Sequence, residues 1–396
     1  MRIAFDGRTI VKGKSGVGNY AERAIRSLLD IDDQSEYFLF LVEPCENLEA
    51  PNLTKIIIAG YDKAGRNRYW ENVLFPRFAA KHDIDLFFGP AYALPLLPRY
   101  GKFFQTLPLP KSWKYIFNTR KQIKYVVAIP DVIGIVHPET FTAKMRMWQR
   151  VFASNAAKVA DAIITISESS KRDIVRLFPV DPAKIHVTPL SVDESFKQNH
   201  SPDEVRRVRT KYSLPDKYIL FVGTIEPRKN VAGLATAYSL LPHDLQNEYK
   251  LVIAGSRGWY ADTIMAEIDK LNISRHIRML GFVDDKDLPV LLASANLFVF
   301  PSLYEGFGYP PLEAMASGVP VVTSITSSLP EVVGNAGVMV DPFDFRKISD
   351  EMTRILKDPN VASDYSRRGL ERAKCFNWKA TAEATLQVFQ EVIARR

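Results

Sequence analysis

Residues 301–323, PSLYEGFGYPPLEAMASGVPVVT, constrain the fold of this chain more than any other stretch. The apolar run Leu297 to Phe300 reads as a buried strand that ends at Pro301, and the loop beyond it holds Gly306 and Gly308. A helix follows. Pro310 or Pro311 suits its first position, where the N–H that proline lacks would have no intrahelical partner. Leu312, Ala314, Met315 and Ala316 continue it, Gly318 ends it, and Pro320 to Thr323 opens another strand. The unit is strand, glycine loop, helix, strand, and it belongs to an α/β fold. A glycine loop feeding a helix N-terminus offers unpaired N–H groups and a positive dipole end, the local chemistry that holds a phosphate. Glu305 in the loop and Glu313 about one turn into the helix repel a phosphate but accept hydrogen bonds from sugar hydroxyls. The combination fits a nucleotide sugar. On spacing alone, a stabilising acid in the first turn and a solvated loop Glu explain the pair equally well.

Glu305-Gly-Phe-Gly, four residues, Glu313, then Ala-Met-Ala-Ser-Gly-Val-Pro-Val-Val, resembles the Glu-(seven residues)-Glu signature of retaining nucleotide-sugar glycosyltransferases. These are the family-four (group 1) enzymes with two Rossmann domains, the GT-B type. The resemblance implies that Glu313 holds the donor ribose. It also implies that Glu305, with Ser302 and the backbone of Gly306, Phe307 and Gly308, meets the transferred sugar and the diphosphate.

A chain of 396 residues suits two domains of about 150 to 200 residues rather than one core. The expected division is 1–195, an acceptor-binding Rossmann-like domain; 196–376, the nucleotide-sugar domain; and 377–396, a last helix that crosses back onto the first domain across the cleft. The N-terminus MRIAFDGRTIV lacks the apolar run of a signal peptide, and no stretch of about 18 apolar residues would span a membrane. Cys45 and Cys375, far apart and without metal-ligand spacing, point to a reducing cytoplasm.

Charge is unevenly spread. Residues 63–124 hold 12 basic and 3 acidic side chains, a local +9, interleaved with aromatics. Arg66, Arg68, Trp70, Trp113, Lys114 and Arg120 are the expected contacts to an anionic acceptor or to lipid headgroups at the cytoplasmic face of a membrane, although a solvated basic face would have the same composition. No nucleic-acid module is recognisable.

Arg2 to Asp6 starts a strand, and the glycine-rich loop Gly13 to Gly18 leads into a helix carrying Ala21, Ala24, Ile25, Leu28 and Leu29 at helical spacing. Gly13-Lys14-Ser15 is not a P-loop, because position 8 is Arg where that motif needs Gly. Gly16 and Gly18 instead admit a ligand close to the backbone, and the resemblance places this loop near the donor phosphate. Tyr37 to Val42 and Lys55 to Ala59 are the next strands, and Trp70 to Lys81 a helix. Asp83-Ile-Asp85 has the spacing of a metal-binding DxD but precedes its strand, so it is structural and no essential divalent metal is expected. Tyr125 to Ile129 is a strand that delivers Asp131 to the cleft. Members of the family often have His-Asp here; this chain has Pro130, so no imidazole role carries over. His137-Pro138-Glu139 reads as a structural turn, Thr142 to Ala160 as a long amphipathic helix, and Ser167 or Ser169 as the cap of the next.

In the second half, Tyr218 to Val222 is a strand ending in Gly223-Thr-Ile-Glu-Pro-Arg-Lys-Asn230. Arg228 and Lys229 can neutralise a diphosphate, the Arg through two oxygens and the Lys as a point charge. The family carries an Arg and a Lys here; many members place the Arg where this chain has Thr224, so Lys229 carries over directly and Arg228 by proximity. Lys250 to Ala254 runs into Gly255, and Ile277 to Leu280 precedes Val283, where relatives contact the base through backbone. Phe345 to Leu356, Ala362 to Lys374 and a helix from Asn377-Trp378 complete the chain.

These residues predict transfer of a hexose from a nucleotide-diphosphate sugar to a glycan or lipid-linked glycan in surface polysaccharide or lipopolysaccharide assembly. Asp131, Glu305, Arg228 and Lys229 are the catalytic candidates, and no cofactor is expected. Gly-Thr-Ile-Glu-Pro-Arg-Lys-Asn is similar to bacterial mannosyltransferases, which favours GDP-mannose over a UDP-linked glucose, galactose or N-acetylglucosamine. A non-catalytic nucleotide-sugar-binding protein and a sugar-nucleotide epimerase are the readings from other classes.

Overall fold

The computed structural model describes residues 1–11, 16–58, 70, 74–90, 92, 123–197 and 199–395. Seven strands come first: β1 (Arg2–Asp6), β2 (Glu36–Leu41), β3 (Leu53–Ile57), β4 (Leu86–Gly89), β5 (Lys124–Ala128), β6 (Ala162–Thr165) and β7 (Ile185–Val187). They pair in parallel in the order β3-β2-β1-β4-β5-β6-β7. The central strands read IAFD, LFFG, YVVA and AIIT at their buried positions, mostly apolar on both faces because helices cover both sides of a parallel sheet. The Gly16–Ile31 helix buries Tyr20, Ala21, Ala24, Ile25 and Leu28 against this sheet. The predicted Trp70–Lys81 helix is observed as Phe75–Lys81, starting where Pro76 fits the first turn.

A second parallel sheet follows: β8 (Tyr218–Val222), β9 (Lys250–Ala254), β10 (Ile277–Gly281), β11 (Leu297–Phe300), β12 (Val321–Ser324) and β13 (Val338–Val340), ordered β10-β9-β8-β11-β12-β13. Strand order reverses between β8 and β11, which pair directly through Leu297 with Ile219 and Phe298 with Leu220. In an open α/β sheet a ligand sits outside the carboxyl ends of strands at such a switch point. The loops that leave those two ends are 223–230 and 301–308, the pair that carries the cations and the acids. Phe221, Phe298 and Phe300 are fully buried beneath them, each contributing about 2 kcal/mol by removal from water.

The Trp378–Ala394 helix, capped by the Asn377 side chain on Ala380 N–H at 2.7 Å, returns to the first domain. Phe389 packs its ring on Phe88 at 5.2 Å, Val388 is buried, Trp378 and Leu386 are half-buried, and the Thr381 hydroxyl donates to Pro189 O at 2.6 Å. The architecture is two Rossmann-like domains of the GT-B type with the last helix crossing back.

One expected surface residue is a core residue. Trp70 is 4% exposed, wedged among Phe40, Phe75 and Phe87, with the Arg8 guanidinium 4.7 Å over its ring. An indole with that much apolar area gains more from the core than from solvent, so Trp70 contacts neither acceptor nor lipid. Arg66, Arg68, Trp113, Lys114 and Arg120 lie outside the described residues. Asp85 accepts the Arg2 backbone N–H at 2.7 Å, a structural bond at the amino ends of the paired strands β1 and β4.

Candidate active site

The loops after β8 and β11 are tied together by Leu303 N–H donating to Arg228 O at 2.8 Å, and they deliver their charges to one point. Glu305 Oε1 receives Lys229 Nζ at 2.7 Å, Arg228 Nη1 at 2.8 Å and the Ser302 hydroxyl at 2.6 Å. Arg228 also pairs with Glu226 Oε1 at 2.5 Å and donates to Tyr304 O at 2.8 Å. Lys229 Nζ stands 4.7 Å over the Phe300 ring, an attraction between cation and π-face added beneath the ion pair. Burial alone would lift the Glu305 carboxyl, but Arg228 and then Lys229 pull it down to about 2. Lys229 is itself pushed down, first by burial and then by its neighbour Arg228, with Glu305 restoring only part. Arg228, held upward by Glu305 and Glu226 against its own burial, is therefore the main charge that keeps Glu305 ionised. A carboxylate oxygen between two cations occupies the kind of position that suits a diphosphate oxygen.

Beside this cluster the backbone is open. The N–H groups of Gly306, Phe307 and Gly308 find no acceptor among the described residues, and they lead into the Tyr309–Ala316 helix. The loop keeps its shape through serines: Ser328 donates to Glu305 O at 2.9 Å and Phe307 O at 2.7 Å, and Ser327 accepts from Glu305 N–H at 2.8 Å. The Phe307 side chain turns away, packing on Tyr309 and Phe376, so only its backbone serves the site.

The first domain closes onto this loop. Ser167 donates to Gly306 O at 2.7 Å, Tyr304 OH bonds Asp173, and Glu331 accepts the N–H groups of Glu168 and Ser169 at 2.8 and 2.7 Å. Asp131 reaches the same place. Its Oδ1 accepts from Gln149 Nε2 at 3.2 Å and Ile133 N–H at 3.3 Å, and Tyr92 OH donates to its carbonyl at 2.7 Å. Burial pushes the Asp131 carboxyl up, against the pull of the Ile133 amide and of Arg228. A methyl group on Gly306 would lie 2.9 Å from Asp131 Cβ and Oδ2, closer than such carbons approach. Gly306→Ala is accordingly expected to part the domains and cut turnover at least about tenfold, since misplacement of this order undoes alignment. Small-angle scattering reads the opening, and an unchanged profile with full turnover would show that the contact does not matter.

Glu313 stands apart. Burial pushes its carboxyl up to about 7 against the pull of Arg23, with Asp285 and Asp193 adding repulsion, and no donor bonds it among the described residues. Arg23 comes from the Gly16–Ile31 helix and pairs with Asp193 at 3.2 Å. An acceptor carboxylate left unpaired in the crevice suits a ligand that brings hydroxyl donors.

Thus Arg228, Lys229, Ser302, Glu305, Gly306 and Asp131 meet in one cluster. Thr224, after β8, is exposed and Val283, after β10, is buried; at the end of β9 between them Gly255 packs against Gly223, whose carbonyl a Cβ at 255 would strike. Gly16 and Gly18 lie in the first helical turn rather than in a loop, Gly16 exposed and Gly18 buried, and Gly13 to Ser15 fall outside the described residues. The sequence carries no sign of Arg23, Gln149, Ser328 and Glu331, and it marks Ser167 as a helix cap but not as a donor to Gly306 O. Each acts on a partner more than a dozen residues away, and only Glu226, inside the quoted 223–230 run, carried a local signal.

Residues 204–372 match a family described as "Glycosyl transferases group 1". The chain is 42% identical over 232 residues to O-antigen chain mannosyltransferase B of Escherichia coli, covering 58% of this chain and 61% of that protein. It therefore spans less than two thirds of that relative. It is 32% identical over 288 residues to MMP alpha-(1->4)-mannosyltransferase of Mycolicibacterium hassiacum, covering 68% and 67%. Its fold matches sucrose-phosphate synthase from Thermosynechococcus elongatus with a TM-score of 0.74 at 20% identity over the whole of both chains. A match that runs through two thirds of both sequences, on an architecture shared end to end, settles the kinship: the chain is a member of the group 1 glycosyltransferase family.

Proposed function

We propose that the chain is a retaining glycosyltransferase that moves a mannosyl unit from GDP-mannose to a glycan or lipid-linked glycan acceptor in the assembly of a surface polysaccharide. The observation that carries the reading is the Lys229–Glu305–Arg228 cluster beside three open amides at the β8/β11 switch point. A diphosphate set there is neutralised by two cations, backbone dipoles and the start of the Tyr309–Ala316 helix, so the reaction needs no divalent metal. In the step itself the bond from the anomeric carbon to the β-phosphate oxygen breaks. The acceptor oxygen bonds that carbon from the same face and passes its proton to the departing diphosphate. Glu305 then orients the sugar, and Asp131, delivered from the first domain, borders the acceptor side. The relatives named as mannosyltransferases support the sugar, and guanine is the base proposed with it.

The donor is tested by thermal shift and by slow donor hydrolysis. GDP is expected to raise the melting temperature by several degrees, as ligand in about hundredfold excess over its Kd adds close to 3 kcal/mol, and GDP-mannose is expected to be hydrolysed without acceptor. Stabilisation by UDP but not GDP would reassign the donor. Failure of every nucleotide sugar to be turned over would leave only a binding protein.

A further inference from the structure

We propose that the outward face of the Ala143–Val159 helix is a docking surface for an anionic lipid bilayer. The helix, AKMRMWQRVFASNAAKV, is capped by Thr142 and buries Ala153, Ala156, Ala157 and Val159 against the first sheet. Its other face leaves Met147 60%, Val151 52% and Trp148 43% exposed, with the Trp148 ring stacked on Phe152 at 5.1 Å. Positions 144, 147, 148, 151, 155 and 158 follow helical spacing, so Lys144 and Lys158, about 21 Å apart along the axis, bracket a ridge of the apolar Met147, Trp148 and Val151 and the polar Asn155. The helix has four cations, Lys144, Arg146, Arg150 and Lys158, and no acid. None of the four is paired with a carboxylate among the described residues.

Charge selects the occupant. A second copy of the chain docking through this face would set the same cations against each other. An anionic partner remains, and the ridge decides which. Met147, Trp148 and Val151 gain nothing from a hydrated acidic surface, whereas in a bilayer they enter the boundary between headgroups and acyl chains while lysine stems extend to the phosphates. The inward face of the same helix presents Gln149 to Asp131, so the lipid-facing ridge and the acceptor side of the cleft are two sides of one element. The surface does not depend on the transfer reaction. Vesicle binding can fail while donor hydrolysis persists, and the reverse.

The test is co-sedimentation with vesicles of mixed phosphatidylcholine and phosphatidylglycerol, against phosphatidylcholine alone, at low and high salt. The wild-type chain is expected to sediment with the anionic vesicles at low salt. Trp148→Gln with Val151→Gln, and separately Lys144→Glu with Arg150→Glu, are expected to lower the partition coefficient at least about tenfold while the melting temperature stays put, since all four positions are exposed. Wild-type protein that stays in the supernatant overturns the proposal. So does undiminished binding by either double variant, which would move the surface elsewhere, or a dimer that dissociates in the variants, which would make the face a contact between copies.

Discussion

Lys229→Ala is expected to lower kcat by at least about a hundredfold, the scale on which removal of one preorganised charge from a leaving-group site is felt. The side chain is 10% exposed, so its ammonium acts in a low-dielectric pocket. Among the described residues, nothing nearby can stand in. Arg228 is already divided among Glu226, Glu305 and Tyr304 O, and its reach is fixed by those bonds. Charge builds on the diphosphate only as the anomeric bond breaks, so the loss falls mainly on turnover rather than on KM. The variant also leaves Glu305 with one cation and the Ser302 hydroxyl, and its carboxyl should rise from about 2. Because burial already disfavours the Lys229 charge, removing it costs the fold less than removing Arg228, which holds two acids. The decisive comparison is therefore kcat of Lys229→Ala against a melting curve of the same sample: folded protein with near-normal turnover would strip Lys229 of its role.

That cluster was legible because its parts are local. β8 and β11 start and stop where the apolar runs of Tyr218–Val222 and Leu297–Phe300 do, since strands buried on both faces carry no alternation to misread. The loops they release announce themselves by Gly, Pro and charge, and the Ser167 and Asn377 caps are single-residue signals. Trp70 failed for the opposite reason. Its neighbours in sequence are basic, but its neighbours in space are Phe40, Phe75 and Phe87, which come from β2, a helix and β4. The grip of Glu331 on the Glu168 and Ser169 amides spans more than 160 positions, and that of Gln149 on Asp131 crosses a turn and a helix. No periodicity encodes such pairs. Arg23 is invisible for the same reason: it looks like one more surface cation on an amphipathic helix until the two domains close and set it near Glu313. The spacing of the Ala143–Val159 helix marks it as amphipathic without marking Met147, Trp148 and Val151 as outward-facing, because spacing reports a face and only packing reports which face is covered.

Glu313→Gln is expected to act in opposite directions on the free protein and on its complex, which separates a binding role from simple misfolding. In the free protein the Glu313 carboxyl titrates near 7, above the ordinary 4.5. Between those values the folded chain holds a proton that the unfolded chain has released, so stability falls as pH rises through that window and is flat above it. Replacing the acid by its neutral isostere removes this loss, and Glu313→Gln should gain up to about 3 kcal/mol over wild type at alkaline pH and nothing below pH 4.5. Nucleotide binding should show the reverse sign. Ribose hydroxyls that donate to the carboxylate favour its ionised form, so the complex lowers the group's pKa and expels a proton. At pH 7 about half a proton should leave per nucleotide, read as the slope of apparent binding enthalpy against buffer ionisation enthalpy in two or more buffers. In Glu313→Gln that slope should vanish and the affinity fall about ten- to a hundredfold, the worth of hydrogen bonds to a charged acceptor. A wild-type slope of zero, or the same slope in the variant, would place the ribose elsewhere. Because a variant that merely unfolds loses stability and affinity together, a stabler protein that binds its nucleotide worse can arise only if Glu313 bears its cost in the empty crevice and returns it on contact with the ligand.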